Sequence, residues 1–218
     1  MTQEDQKRVA ATAALSYIKD GIVLGVGTGS TVDHLIDALP SYRAKLTAVV
    51  SSSKRSTRRL EAVGIAVSEL GDVGDLDLYI DGADEATKHL HLLKGGGGAL
   101  TREKILASAA RRFVCIVDET KLVATLGRFP LPVEIIPMAE SFVARQMVKA
   151  GGQPILRDGF VTDNGNHILD VHNLKIANPV EMETRFSLIP GVVTVGIFAN
   201  RRADVLLVGG SSGVKTLQ

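Results

Sequence analysis

GVGTGST, residues 25–31, follows the apolar run Ile22–Val26 and opens onto Val32, Leu35, Ile36 and Leu39, which recur at helical spacing up to Pro40. The order is strand, glycine turn, helix. Upstream, Val9, Ala10, Ala13, Ala14, Tyr17 and Ile18 mark one face of an amphipathic helix that Gly21 ends. Downstream, apolar runs at 46–50, 76–80 and 113–117 alternate with helical patterns at 54–63 and 101–111. Such alternation predicts an α/β domain on a parallel sheet, Rossmann-like in layout and covered by helices.

The texture changes after Lys121. Phe129-Pro130-Leu131-Pro132 and then Pro137 enclose a short β-like run in a stretch too rich in proline for a central strand. A boundary is expected there, with the α/β domain over residues 1–127 and 200–218 and a second domain over 128–199. Within the second lie a strand at 133–136, a helix near 139–150, a hairpin turning at Asp163-Asn164-Gly165-Asn166, a helix near 179–188 and a strand at 192–198. The order β-α-β-β-α-β predicts a smaller α+β domain of the ferredoxin-like kind. A last apolar run, 205–208, is expected to rejoin the first sheet.

Composition narrows the function classes. The chain has 218 residues, 45% hydrophobic, enough for a large core. Lys plus Arg number 25 against 24 Asp plus Glu, so the net charge of +1 supplies no field for nucleic acid or an anionic membrane. An anion must be held by a local site. The single cysteine, Cys115, lies in the apolar run Phe113-Val114-Cys115-Ile116-Val117 and reads as a core thiol in a reducing compartment. No apolar stretch approaches the roughly 18 residues of a bilayer span. A cytoplasmic location is expected, with neither nucleic acid nor membrane as partner.

Three segments carry chemistry. In the first, glycines at 25, 27 and 29 let the backbone turn tightly at a helix N-terminus, and the hydroxyls of Thr28, Ser30 and Thr31 add donors, an arrangement suited to phosphate. A dinucleotide fingerprint fails, since G-x-G-x-x-G from Gly25 needs glycine where Ser30 stands, and Ser51-Ser52-Ser53 offers no carboxylate for a ribose. The second segment is Asp81-Gly82-Ala83-Asp84-Glu85, directly after an apolar run. Ligands bind beyond the carboxyl ends of strands in open parallel sheets, so Asp81 and Asp84 are candidates for holding sugar hydroxyls, for acid–base work or for a hard cation. Glu85 is assigned to a solvated acidic turn.

The third segment is Lys94-Gly95-Gly96-Gly97-Gly98, leading into a helix with Thr101, Arg102 and Glu103 near its start. Four consecutive glycines are costly to order, and inside a compact domain they suggest close approach of backbone to a ligand. Lys94 and the N–H groups of the turn are suited to negative charge on oxygen. Lys54, Arg55, Arg58 and Arg59 lie at helical spacing and read as a solvated face. His89 and His91, placed on one side of a strand, lack a third ligand at metal-site spacing and read as structural.

Taken together, GVGTGST at 25–31, SSS at 51–53, DGADE at 81–85, KGGGGALTREKI at 94–105, FPLPVEIIP at 129–137, VTDNGN at 161–166 and IPGVVTVGIFA at 189–199 closely resemble the ribose-5-phosphate isomerase type A family. The likeness runs through almost the whole chain in order. Gly98 departs from it, since alanine is expected there in many members. The resemblance implies interconversion of ribose 5-phosphate and ribulose 5-phosphate in the non-oxidative pentose phosphate pathway. It also implies no cofactor, no metal, and a homodimer or homotetramer. By position, Thr28, Gly29, Ser30, Thr31, Asp81, Gly82, Ala83, Asp84, Lys94, Gly95, Gly96, Gly97 and Lys121 would bind substrate. Glu103 would move the proton, with Asp81, Asp84 and Lys94 assisting. Which glycine loop cradles the phosphate stays open at this level. Two rivals are a sugar-phosphate sensor on a related fold, needing no general base, and an acyl-CoA transferase-like enzyme, needing a carboxylate nucleophile.

Overall fold

The structure, a computed structural model, describes all 218 residues. In chain order the first elements are α1 (Gln3–Ala14), β1 (Ile22–Val26), α2 (Ser30–Ala38), β2 (Leu46–Ser51), α3 (Lys54–Ala62), the single turn α4 (Leu70–Val73) and β3 (Leu78–Asp81). Then come β4 (Glu85–Ala86), β5 (Leu92–Leu93), α5 (Leu100–Ala109), β6 (Phe113–Asp118), β7 (Leu131–Ile135) and α6 (Glu140–Lys149). The chain closes with β8 (Gln153–Leu156), β9 (His167–His172), α7 (Pro179–Ser187), β10 (Val192–Val195), β11 (Ile197–Phe198), β12 (Val205–Gly210) and β13 (Gly213–Leu217). No helix is long and apolar enough to cross a membrane.

Two compact units emerge. The first comprises Met1–Ala83, Arg102–Leu122 and Ala203–Gln218; the second comprises Asp84–Thr101 and Val123–Arg202. The division differs from the one expected from sequence mainly at residues 84–101. They sit with the second unit because β5 pairs with β11, Leu93 opposite Ile197.

In the first unit the sheet order is β13-β12-β6-β3-β1-β2, parallel throughout except for the β12–β13 edge. The expected return of the last apolar run is β12, which lies beside β6. Helix α1 begins at a capping box, Thr2 and Asp5 each bonding the other's backbone N–H. Its small residues Ala10, Ala11 and Ala14 are buried in the core with Leu35, Ile36, Leu24 and Val114. Strand β1 is flanked by β2 on one side and β3 on the other, so the chain reverses its direction of sheet growth there. That switch point opens a crevice beyond the carboxyl ends of β1 and β3.

In the second unit a four-stranded antiparallel sheet runs β10-β7-β9-β8, with α6 after β7 and α7 after β9. This is the ferredoxin-like arrangement. Two details depart from the sequence reading. β7 is a central strand although Pro132 lies in it. Pro132 C=O accepts from Gly196 N–H (2.8 Å), and the Gly196 C=O that an N–H at position 132 would meet accepts from Lys94 N–H instead, so the missing donor leaves no acceptor unpaired. The expected single strand at 192–198 is also broken at Gly196, which joins two sheets. Lys94 N–H donates to Gly196 C=O (2.8 Å), and a Cβ at Gly196 would lie 2.3 Å from Lys94 O.

Candidate active site

In the first unit the site is built where β1 and β3 end. Gly27 N–H donates to Ile80 C=O (2.9 Å), which presses the loop onto β3, and a Cβ on Gly27 would lie 1.9 Å from Asp81 Oδ1. Only glycine permits that approach. Asp81 Oδ1 then accepts from the N–H of Thr28 (3.0 Å) and of Gly82 (2.7 Å), while the Tyr79 hydroxyl donates to Oδ2. Tyr79 and Asp81 stand two apart in β3, hence on one face of the strand, and both are fully buried. Burial holds the Tyr79 hydroxyl well above its ordinary pKa of 10.0, and the nearby charges of Asp81 and Glu103 push it the same way. It therefore stays a donor.

Gly29 adopts φ +114° and leads into α2, whose first turn carries Ser30 and Thr31, exposed and half-buried respectively. Ser53 caps α3 by accepting from Ser56 N–H (3.0 Å), and its hydroxyl lies 3.1 Å from Thr28 Oγ1. Glu103 lies in the first turn of α5 and is 3% exposed. Gly82 and Ala83 continue from Asp81 as irregular backbone, and Lys121 is half-buried at the end of a short turn after β6. Asp81, Glu103 and the first loop thus gather around the end of β3.

Asp84 begins the second unit. Its N–H donates to Leu93 C=O (2.9 Å), and its Oδ2 accepts from Gly96 N–H (2.8 Å). Residues 95–98 form a tight turn in which Gly98 N–H donates to Gly95 C=O (2.9 Å). Gly95 and Gly98 take φ of +108° and +78°, and a Cβ on Gly96 would lie 2.7 Å from Asp84 Oδ1. The four glycines therefore meet conformational and steric demands of their own. Lys94 is 2% exposed, with its ammonium 5.6 Å from the Phe198 ring centroid. Gly97 is exposed.

Other readings resolve differently. Glu85 is buried, not solvated, and accepts from the N–H groups of Gly127 (2.8 Å) and Phe129 (2.6 Å), so its work is to clasp a loop. His89 lies in the turn between β4 and β5, not on a strand. Arg55 pairs with Asp33 (2.5 Å) and Arg59 with Asp37 (3.0 Å), tying α3 to α2. Tyr79 is the residue that the sequence reading missed. Its signal was present, an alternate position in the strand that delivers Asp81.

Chemically, the first unit offers two buried carboxylates and the backbone donors of one glycine turn, groups fit for proton transfer. The second unit by itself offers a buried lysine and the donors of another glycine turn, groups fit for an oxygen that gains charge. Comparison with known proteins agrees. Residues 48–213 match the model of the family described as ribose 5-phosphate isomerase A (phosphoriboisomerase A). The crystal structure of ribose 5-phosphate isomerase A from Neisseria gonorrhoeae superposes with a TM-score of 0.97 at 47% identity, over 99% of this chain and 97% of that one. A D-ribose-5-phosphate isomerase solved in complex with phospho-erythronic acid gives 0.96 at 38%, over 100% of both chains. The enzyme from Methanocaldococcus jannaschii gives 0.93 at 39%, again over 100% of both. With fold, motifs and likeness in agreement, the chain belongs to the ribose 5-phosphate isomerase A family, whose reaction interconverts ribose 5-phosphate and ribulose 5-phosphate.

Proposed function

We propose that Glu103 is the base that carries the proton between carbons 2 and 1 of the pentose 5-phosphate. The observation that carries the reading is a buried carboxylate in the first turn of α5 whose charge, like that of Asp81, is felt by one tyrosine. Asp81 assists opening of the furanose ring, moving a proton between the ring oxygen and the hydroxyl of carbon 1. Glu103 then takes the proton of carbon 2, and the electron pair of that C–H bond forms the C1=C2 bond while the aldehyde oxygen gains the charge. Lys94 and the Gly97 N–H stabilise that enediolate oxygen. Return of the proton to carbon 1, with transfer of the hydroxyl proton from oxygen 2 to the charged oxygen 1, turns C1=C2 back into a single bond, forms the C2=O bond and gives the ketose. Asp84 orients substrate hydroxyls, and Lys121 is a further contact.

The phosphate is assigned to the first loop, where Thr28, Gly29, Ser30 and Thr31 offer hydroxyls and amides at the N-terminus of α2. Lys94 is too deeply buried to be the first catch for a hydrated dianion, which favours its role at the enediolate. The three-residue spacing of Asp81 and Asp84 supports their serving one substrate with Gly82 and Ala83 between them, as Gly95 and Gly96 join Gly97 in the other turn. The protein acts in the cytoplasm, consistent with its single cysteine, Cys115, lying buried in the core, and as a homo-oligomer. Incubation with ribose 5-phosphate and detection of ketopentose tests the reading. Tight binding of the sugar phosphate without turnover would make the chain a sensor on this fold.

A further inference from the structure

Arg157 lies just beyond β8, where its N–H donates to Ile168 C=O (2.9 Å) and so fixes its backbone against β9. Its side chain is 18% exposed, and its guanidinium is gripped by one carboxylate: Nε to Asp170 Oδ2 (2.8 Å) and Nη2 to Asp170 Oδ1 (2.6 Å). A fork held in this way has its remaining N–H directions set. They go to backbone carbonyls of the glycine turn. Nη1 donates to Gly96 O (3.1 Å) and Gly95 O (3.3 Å), and Nη2 donates to Gly95 O (3.3 Å).

The planar trans peptide turns these contacts into a statement about the opposite side of the turn. The C=O of one residue and the N–H of the next point in opposite directions across each peptide plane. Drawing Gly95 C=O toward Arg157 therefore aims Gly96 N–H the other way, where it meets Asp84 Oδ2 at 2.8 Å. Drawing Gly96 C=O toward Arg157 aims the N–H of Gly97 to that same side. Glycine has the widest choice of backbone angles, so a run of four would not hold these peptide orientations unaided.

We propose that Arg157, anchored by Asp170, is a positioning residue for the isomerisation: it orients the 95–98 turn so that Gly97 N–H and the Asp84 carboxylate are presented to the substrate. The inference rests on the reading of that turn as part of the substrate site. It assigns a role to a residue at the end of β8 that no sequence motif singled out. Arg157 acts through Gly95 and Gly96 and need not touch the substrate.

Two measurements on wild type, Arg157→Met, Arg157→Lys and Asp170→Asn test it. The first is amide hydrogen exchange at residues 95–98 in the protein without substrate. Arg157→Met should speed exchange there by about tenfold or more while β7 and β9 stay protected, whatever the chain's activity. The second is steady-state isomerisation of ribose 5-phosphate below each variant's melting temperature. Displacing a group of the reacting centre by about 1 Å can lower the rate roughly 100-fold, so kcat should fall about 10- to 100-fold with little change in KM. Arg157→Lys should remain impaired, because an ammonium cannot grip Asp170 and both carbonyls at once. Asp170→Asn, which keeps the guanidinium but loosens its anchor, should give a smaller loss of the same kind and carries the test if Arg157→Met fails to fold. Unchanged exchange in the turn overturns the clamp itself. Loosened exchange with wild-type kcat overturns its part in catalysis. An inactive wild-type protein instead refutes the assigned reaction, and the exchange result still decides the clamp.

Discussion

Asp81 has little freedom left. One oxygen takes two backbone N–H groups, the other takes the Tyr79 hydroxyl, and Gly27 leaves no room for movement. Tyr79→Phe keeps the ring in its fully buried slot but removes that donor from a buried carboxylate. Hydrogen bonds to charged groups contribute about 1.5–3 kcal/mol, so denaturant titration should find a stability loss near that size. Turnover should fall as Asp81 loses its fixed direction. A Phe variant as stable and active as wild type would show that the tyrosine is only packing. Lys94→Ala is expected to lower kcat, since its ammonium is assigned to the charge that develops on the enediolate oxygen. Steady-state kinetics decides this: if only KM rises, Lys94 provides uniform binding and the oxyanion role is wrong.

At the scale of elements, the departure at Gly98 has a physical cause. Gly98 takes φ +78°, and a Cβ there would lie 2.2 Å from Phe160 Cζ, so the absent methyl is the space that the ring occupies. Gly98→Ala should cost about 1–2 kcal/mol for the left-handed conformation alone, plus the clash with the ring. In a Phe160→Ala background the clash disappears and only the conformational part remains. A double-mutant cycle on thermal or denaturant unfolding should therefore give a coupling of roughly 0.5–3 kcal/mol, and additive losses would contradict the pairing. The same turn marks how far the sequence could be read. Its glycines were legible because backbone that approaches closely must be glycine. Arg157 was not, because it reaches the turn from just beyond β8, some sixty residues away in the chain, and carries no local pattern. Pro132 misled for a related reason: whether proline fits a strand depends on which side its missing N–H faces, and only the pairing of β7 with β10 and β9 reveals that.

Over the whole molecule, periodicity was enough for both architectures, since the switch from helix–strand alternation to the proline-bounded β-α-β-β-α-β order is long and strongly patterned. The assignment of residues 84–101 depended on two-residue strands, β4 and β5, too short to leave a periodic signal. The chemistry assigned to the complete site uses carboxylates, one lysine and amides in place of a Lewis acid. Exhaustive chelation should leave turnover unchanged. Loss restored by magnesium or manganese would overturn that assignment.

The central claim is that Glu103 moves the proton. Gln keeps the shape of Glu but cannot accept a proton near neutral pH, and general base catalysis contributes about 100-fold to 10,000-fold. The deciding measurement follows isomerisation of ribose 5-phosphate in deuterated solvent, together with exchange of the carbon-bound proton, in wild type and in Glu103→Gln protein shown to fold and to bind the substrate. The account predicts that isomerisation and exchange fall together by roughly that factor. Normal binding with exchange near the wild-type rate would contradict it and pass the role of base to Asp81 or Asp84.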